Sequence, residues 1–323
     1  MRRIHLLEVL SITFLGILIV LVSLFHARFP YNWQLLLGLF SLMLLAWFVS
    51  EARSRWRERT AICLVCDFSP VFFVITIYEI LGGIIPYLRP DVDSLLITID
   101  HTVLGVYPTV WLERFFTPWL ADLLALAYSS YYFIPLILLV TLYYRGTEEE
   151  FSRTSCIFVL GYYLSYVGYI LMPAIGPRFT LASLQQVPLH GGTILNTVVN
   201  TLNTLEGNPR DCFPSGHTQI VLIALWLAFL YKRPLFWIYL PVSILLIFST
   251  VYLRYHYVID VAAGFAFAGI SVLLGTWVWE WQARGVTDRS DRSYISSRPR
   301  PLSPSASGDC PPRSTIIPPD NNL

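Results

Sequence analysis

The sequence predicts an all-α protein, a polytopic transmembrane helical bundle of about eight spans. Of its 323 residues, 55% are hydrophobic and 13% are charged, against about 25% charged in an ordinary soluble domain. A surface facing water on all sides cannot be built from that. Several apolar runs also reach the ~20 residues a helix needs to cross a hydrocarbon layer about 30 Å thick.

In chain order the runs cover 6–25, 33–50, 61–86, 119–144, 154–175, 216–231, 235–253 and 257–281. The first follows Met1, Arg2 and Arg3 and lacks a small-residue cleavage site, so it reads as a retained helix rather than a signal peptide. Between Tyr87 and Pro118, Asp91, Asp93, Asp100 and Arg114 alternate with apolar residues, which predicts an interfacial or re-entrant piece. Beyond about Ala283 the chain turns to Ser, Arg and Pro, with seven prolines from Pro299 to Pro319. Such a segment buries too little apolar surface to offset its ordering entropy, and a disordered cytoplasmic tail is expected. The expected organisation is an N-terminal hairpin and basic loop over 1–60, a membrane-embedded domain over 61–282, and the tail over 283–323. No internal repeat is evident.

Basic residues set the orientation, because they accumulate in cytoplasmic loops. With the N-terminus inside, the inward segments hold Arg2, Arg3, Arg53, Arg55, Arg57, Arg59, Arg145, Arg153, Lys232, Arg233 and Arg284. The outward side holds Arg28, Arg89, Arg114, Arg178, Arg210 and Arg254. Both termini are then cytoplasmic. The net charge of +1 says nothing about partners, and nucleic-acid binding has no support. The five cysteines fit neither a disulfide framework nor a zinc site, and Cys63-x-x-Cys66 reads as packing.

This topology gathers three segments on one face, the outer one: Pro173 to Arg178, Pro214-Ser215-Gly216-His217, and Arg254-Tyr255-His256. His256 and Asp260 are four apart, so a helix projects them from one side and Asp260 is placed to orient the imidazole. His217 adds a second titratable ring. Arg178 and Arg254 supply fixed positive charge where a phosphate needs it. Ser215 is placed to cap the following helix, and Gly216 permits close backbone approach. Free amides at that helix start favour an anion, and the same holds more weakly at the start of the last span.

Pro214-Ser215-Gly216-His217 and the run Ser249 to Asp260 resemble the second and third motifs of the type 2 phosphatidic acid phosphatase superfamily, over about residues 154–281. The resemblance implies a six-helix phosphatase-type core and a catalytic role for the 61–282 domain. It implies that His256 attacks phosphorus to form a phosphohistidine, that Asp260 holds the ring, and that His217 protonates the leaving oxygen. Water or an alcohol then releases the phosphoryl group; neither cofactor nor metal is implied. A neutral imidazole near pH 7 suits both histidine roles.

Two positions depart from the family pattern. Where its first motif carries a lysine, this chain has Leu171, and where its third carries an arginine after the serine, this chain has Thr250. A pocket with fewer cations suits a singly charged phosphodiester better than a doubly charged monoester. That favours a phosphotransferase acting on a diester lipid, with a lipid alcohol as acceptor. Arg254-Tyr255-His256-Tyr257 with Asp260, together with Tyr128 to Pro135, also resembles the inositol phosphorylceramide synthase branch. The alternatives are a lipid phosphate monoester phosphatase and, outside enzymes, a headgroup-binding transporter or scaffold. Arg210 beside Asp211 reads as a solvated loop residue, and Asp100 as a loop or cap residue. Oligomeric state is not legible.

Overall fold

A computed structural model describes residues 6–55, 60–188, 196–197 and 208–287. Residues 283–287, expected to open the tail, continue the last helix, and the rest of the expected tail lies outside the described residues, as do Arg2, Arg3, Arg57 and Arg59.

Every expected span is a helix. The first three are α1 (Leu6–Leu24), α2 (Asn32–Arg55) and α3 (Thr60–Gly82). The segment read as re-entrant folds as α4 (Asp93–Leu104), which turns at Gly105 into a second short helical stretch, the pair being bent by 61°. The fourth span is α5 (Pro118–Ser129) and α6 (Phe133–Arg145), joined by a tight turn at Ser130–Tyr132. Then follow α7 (Glu148–Leu171), α8 (Gly216–Tyr231), α9 (Arg233–Tyr252) and α10 (Val258–Thr287). Among the described residues seven spans are long and apolar enough to cross a membrane, while α8, with 16 residues, is shorter. The protein is an integral, multi-pass membrane protein.

Local chemistry explains where expected and observed ends differ. α7 begins at Glu148 because Thr147 accepts from the Glu150 amide (3.1 Å) while the Glu150 carboxylate accepts from the Thr147 amide (2.9 Å). This reciprocal cap satisfies two amides that the helix itself leaves open. α7 stops at Leu171, short of the expected end, because Pro173 pushes Met172 out of helical geometry.

α7 is the axis of the bundle, packed against α1, α3, α6, α8 and α10. One group of polar side chains inside the bundle satisfies its own hydrogen bonds, which lowers the cost of placing it in hydrocarbon surroundings. Gln219 of α8 donates to the Gly161 carbonyl (2.8 Å) and to Ser271 of α10 (2.9 Å), and accepts from Ser165 (2.6 Å). The N-terminal hairpin joins the same core: Phe14 stacks on Tyr163 at 4.6 Å, and Ser11 shares a 2.8 Å hydrogen bond with the Tyr163 hydroxyl. At the other end of the hairpin, Arg53 of α2 bridges Glu8 of α1 (2.9 Å) and Asp67 of α3, and also donates to the Cys66 carbonyl. Cys66 itself is buried in this packing.

Candidate active site

Three chain segments meet above α8 and α10. The first follows α7. Its Gly176 has φ +87°, and a Cβ there would lie 2.7 Å from the Tyr255 carbonyl, so glycine alone lets the Pro173–Arg178 loop touch the third segment. The carboxylate of Asp93, at the start of α4, accepts from the amides of Ile175 (3.0 Å) and Gly176 (2.9 Å) and from the Tyr257 hydroxyl (2.8 Å). Two turns along the same helix, Asp100 accepts from the amides of Val258 (2.8 Å) and Ile259 (2.9 Å). Both carboxylates are buried. This bent helical segment is thus a brace that ties the first loop to the start of α10. Asp100 has the cap role, so the α10 start holds a carboxylate of the chain itself where an anion site was expected.

The second segment, Cys212 to His217, enters α8. Ser215 accepts from the amide and hydroxyl of Thr218 (3.3 and 3.1 Å), and its own amide donates to the Asp260 carbonyl (3.1 Å). The expected cap is present. Ser215 is fully buried, however, and a side chain on Gly216 would collide with the Tyr169 hydroxyl. Neither residue lines the cavity described below; their part is to seat His217.

The third segment carries His256. Its Nδ1 lies 2.8 Å from the Cys212 carbonyl oxygen, which only accepts, so Nδ1 bears the proton and Nε2 keeps its lone pair. Asp260 is further off: its Oδ2 is 3.6 Å from Nδ1, and it accepts from the Tyr257 amide (2.8 Å) and the Cys212 thiol (2.8 Å). The sequence expectation was that Asp260 orients the ring. Its geometry differs because Asp260 is the third residue of α10 and reaches back to cap the helix start. Asp260 is fully buried, and its Oδ1 has no hydrogen-bond partner among the described residues.

His217 stacks between Tyr128 and Tyr131, with centroids at 4.3 and 4.2 Å, and its ring meets that of His256 edge-on at 5.7 Å. Its Nε2 is buried without a hydrogen-bond partner among the described residues. Neither tyrosine was singled out as a site residue from sequence; the signal was their place in the Tyr128 to Pro135 stretch.

His217, His256, Arg178 and Arg254 line one cavity of about 220 Å³, with Tyr128, Tyr255, Asp211 and Cys212. Arg178 lies over the rings of Phe179 (4.6 Å) and Tyr255 (5.0 Å). Arg254 pairs with Glu113 at 2.9 Å and donates to Gln185 (3.1 Å) and to the Val187 carbonyl. Arg210 pairs with Asp91 through two contacts of 2.6 and 3.1 Å, so it is an ion-paired residue rather than a purely solvated one. The two positions that depart from the family pattern lie off the cavity: Leu171 is exposed and Thr250 is buried. Burial raises the Asp211 carboxyl above the ordinary range, against the opposing effects of the Tyr78 hydrogen bond and the Arg178 charge.

No curated protein and no solved structure matches the chain. A family model described as the PAP2 superfamily matches residues 95–274, from α4 into α10, which takes in all three segments of the site. That match spans more than half of the chain, and the chain belongs to the PAP2 superfamily.

Proposed function

We propose that the protein is a lipid phosphotransferase that moves a phospho-headgroup through a phosphohistidine on His256, in the manner of an inositol phosphorylceramide synthase. Membership of the superfamily supports a lipid phosphatase or phosphotransferase. The observation that carries the mechanism is the Cys212 carbonyl at 2.8 Å from His256 Nδ1, which leaves the Nε2 lone pair as the nucleophile.

In this reading Nε2 attacks phosphorus and the P–O bond to the lipid breaks. His217 takes up a proton as the anionic substrate enters beside it and gives that proton to the departing oxygen, so a neutral lipid alcohol leaves. In the second half the neutral His217 takes the proton of an acceptor hydroxyl, whose oxygen attacks phosphorus and frees His256. Arg178 offsets charge on the non-bridging oxygens. Asp260, through the cap and the Cys212 thiol, holds the backbone from which His256 projects.

The charge inventory supports a diester. Arg254 and Arg210 are each paired with a carboxylate, and Asp211 adds an acid to the cavity wall. A doubly charged monoester finds less compensation there than a singly charged diester. The distribution of basic residues supports cytoplasmic termini and a site on the outer or lumenal face.

The test supplies a labelled diester lipid to the purified protein in vesicles, with and without a lipid alcohol. Transfer of headgroup phosphate to the acceptor, with an acid-labile phosphoryl group on His256 trapped in between, is the expected result. Release of inorganic phosphate from a monoester, with no transfer, would establish a phosphatase. Headgroup binding or flux with no turnover at all would establish a transporter or scaffold.

A further inference from the structure

Beneath the cavity, Cys212 Sγ, His256 Nδ1 and Asp260 Oδ2 form a triangle with edges of 2.8 Å (S to O), 3.7 Å (S to N) and 3.6 Å (N to O). All three residues are buried, and all three atoms fall within 4.8 Å of one another. A zinc ion bound at ordinary Zn–S, Zn–N and Zn–O lengths in tetrahedral geometry separates such ligands by about 3.3 to 3.6 Å. Two edges are already close to that span, and the third opens by roughly 0.7 Å when the thiol gives up its hydrogen bond to Asp260. A second observation points the same way: among the described residues Asp260 Oδ1 is buried with no partner, which leaves free lone pairs on the carboxylate whose Oδ2 forms one corner of the triangle.

We infer that Cys212, His256 and Asp260 form an inhibitory site for zinc or a similar thiophilic divalent cation. Thiolate and carboxylate together offset the charge of the ion, so the loaded site is neutral, as a buried position requires. Cys212 and His256 both line the cavity, which supplies an entry path and room for a water as the fourth ligand.

Binding has a defined chemical cost for the nucleophile. The thiol proton leaves to solvent as the S–Zn bond forms. The ring proton must leave Nδ1, giving up the Cys212 carbonyl, so that Nδ1 can coordinate; the neutral ring then carries its proton on Nε2. The nitrogen that would attack phosphorus has lost its lone pair. The ion therefore acts as a brake and not as a cofactor. This inhibitory consequence rests on His256 being the nucleophile, whereas the binding site does not.

The experiment uses full-length, tag-free protein in detergent, stripped with a chelator and titrated with Co²⁺ and then Zn²⁺. One equivalent of Co²⁺ should give thiolate-to-cobalt charge-transfer absorption that Zn²⁺ abolishes. C212S should lose that band and bind Zn²⁺ at least tenfold more weakly. X-ray absorption of the stoichiometric Zn²⁺ complex of the unaltered protein should show one sulfur at about 2.3 Å with nitrogen and oxygen at about 2.0 Å. A ligand shell without sulfur, or a charge-transfer band that C212S retains, would overturn the site. Zinc binding with undiminished lipid turnover would keep the site and overturn the inhibition.

Discussion

His256 Nδ1 lies 2.8 Å from the Cys212 carbonyl oxygen and 3.6 Å from Asp260 Oδ2. A main-chain oxygen therefore sets the tautomer, and the carboxylate acts at one remove. D260N should lower turnover by about 10- to 100-fold, the range for groups that position a functional histidine, whereas H256A should cost at least about 10³-fold. Equal losses in the two, in steady-state assays on folded protein, would restore Asp260 as the direct partner.

The Glu113 carboxylate holds Arg254 in a pair whose side chains are both nearly buried. Removing one member of a buried pair costs about 3–5 kcal/mol because the other is left uncompensated. E113A should therefore melt earlier, and E113Q, which keeps an acceptor but no charge, should melt between the two. In E113Q the Arg254 charge is no longer offset at the cavity wall. The ratio of monoester to diester turnover should rise, and an unchanged ratio would show that Arg254 is purely structural.

Asp100 caps α10 through two amides. D100A should lose about 1–2 kcal/mol, the range for a helix cap, and should lower kcat more than KM, because the α10 start carries the His256 turn. D100N should recover part of both. A stability loss with kcat intact would separate the cap from the catalytic geometry.

Asp211 has its carboxyl raised by burial. Its protonated form is favoured in the fold, so its contribution is full below the unfolded carboxyl value of about 3.9 and is lost as pH rises through the higher folded value. D211N, neutral throughout, should gain melting temperature relative to the unaltered protein as pH climbs through that window, and then hold a constant lead. An offset that does not vary with pH would mean that Asp211 is already ionised throughout that range.

The spans were legible because hydrophobic length is a local property. The motif histidines were legible as a group because topology puts their segments on one face. The brace was not: Asp93 and Asp100 sit in a mixed segment whose pattern shows two acids on one helix face, but their partners, Gly176 and Val258, are dozens of residues away or more. Cys212 was missed for a different reason. Its contribution to the ring comes from a carbonyl, which every residue has, and only the fold reveals which carbonyl is aimed at His256. Arg254 reads as a phosphate cation until Glu113 is found beside it, 141 positions earlier in the chain.

The brace also has a meaning for how the protein is made. α4 leaves the ribosome well before the residues its carboxylates hold, and chains assemble from the N-terminal side as they emerge. Asp93 meets the Ile175 and Gly176 amides earlier, but until Val258 and Ile259 arrive Asp100 lacks both of its amide partners and is costly to bury. Docking of α4 is therefore completed only near the end of synthesis, when its Asp100 end meets the start of α10. A nascent chain truncated within α9 would be inserted in the membrane but unable to set His217 opposite its histidine partner.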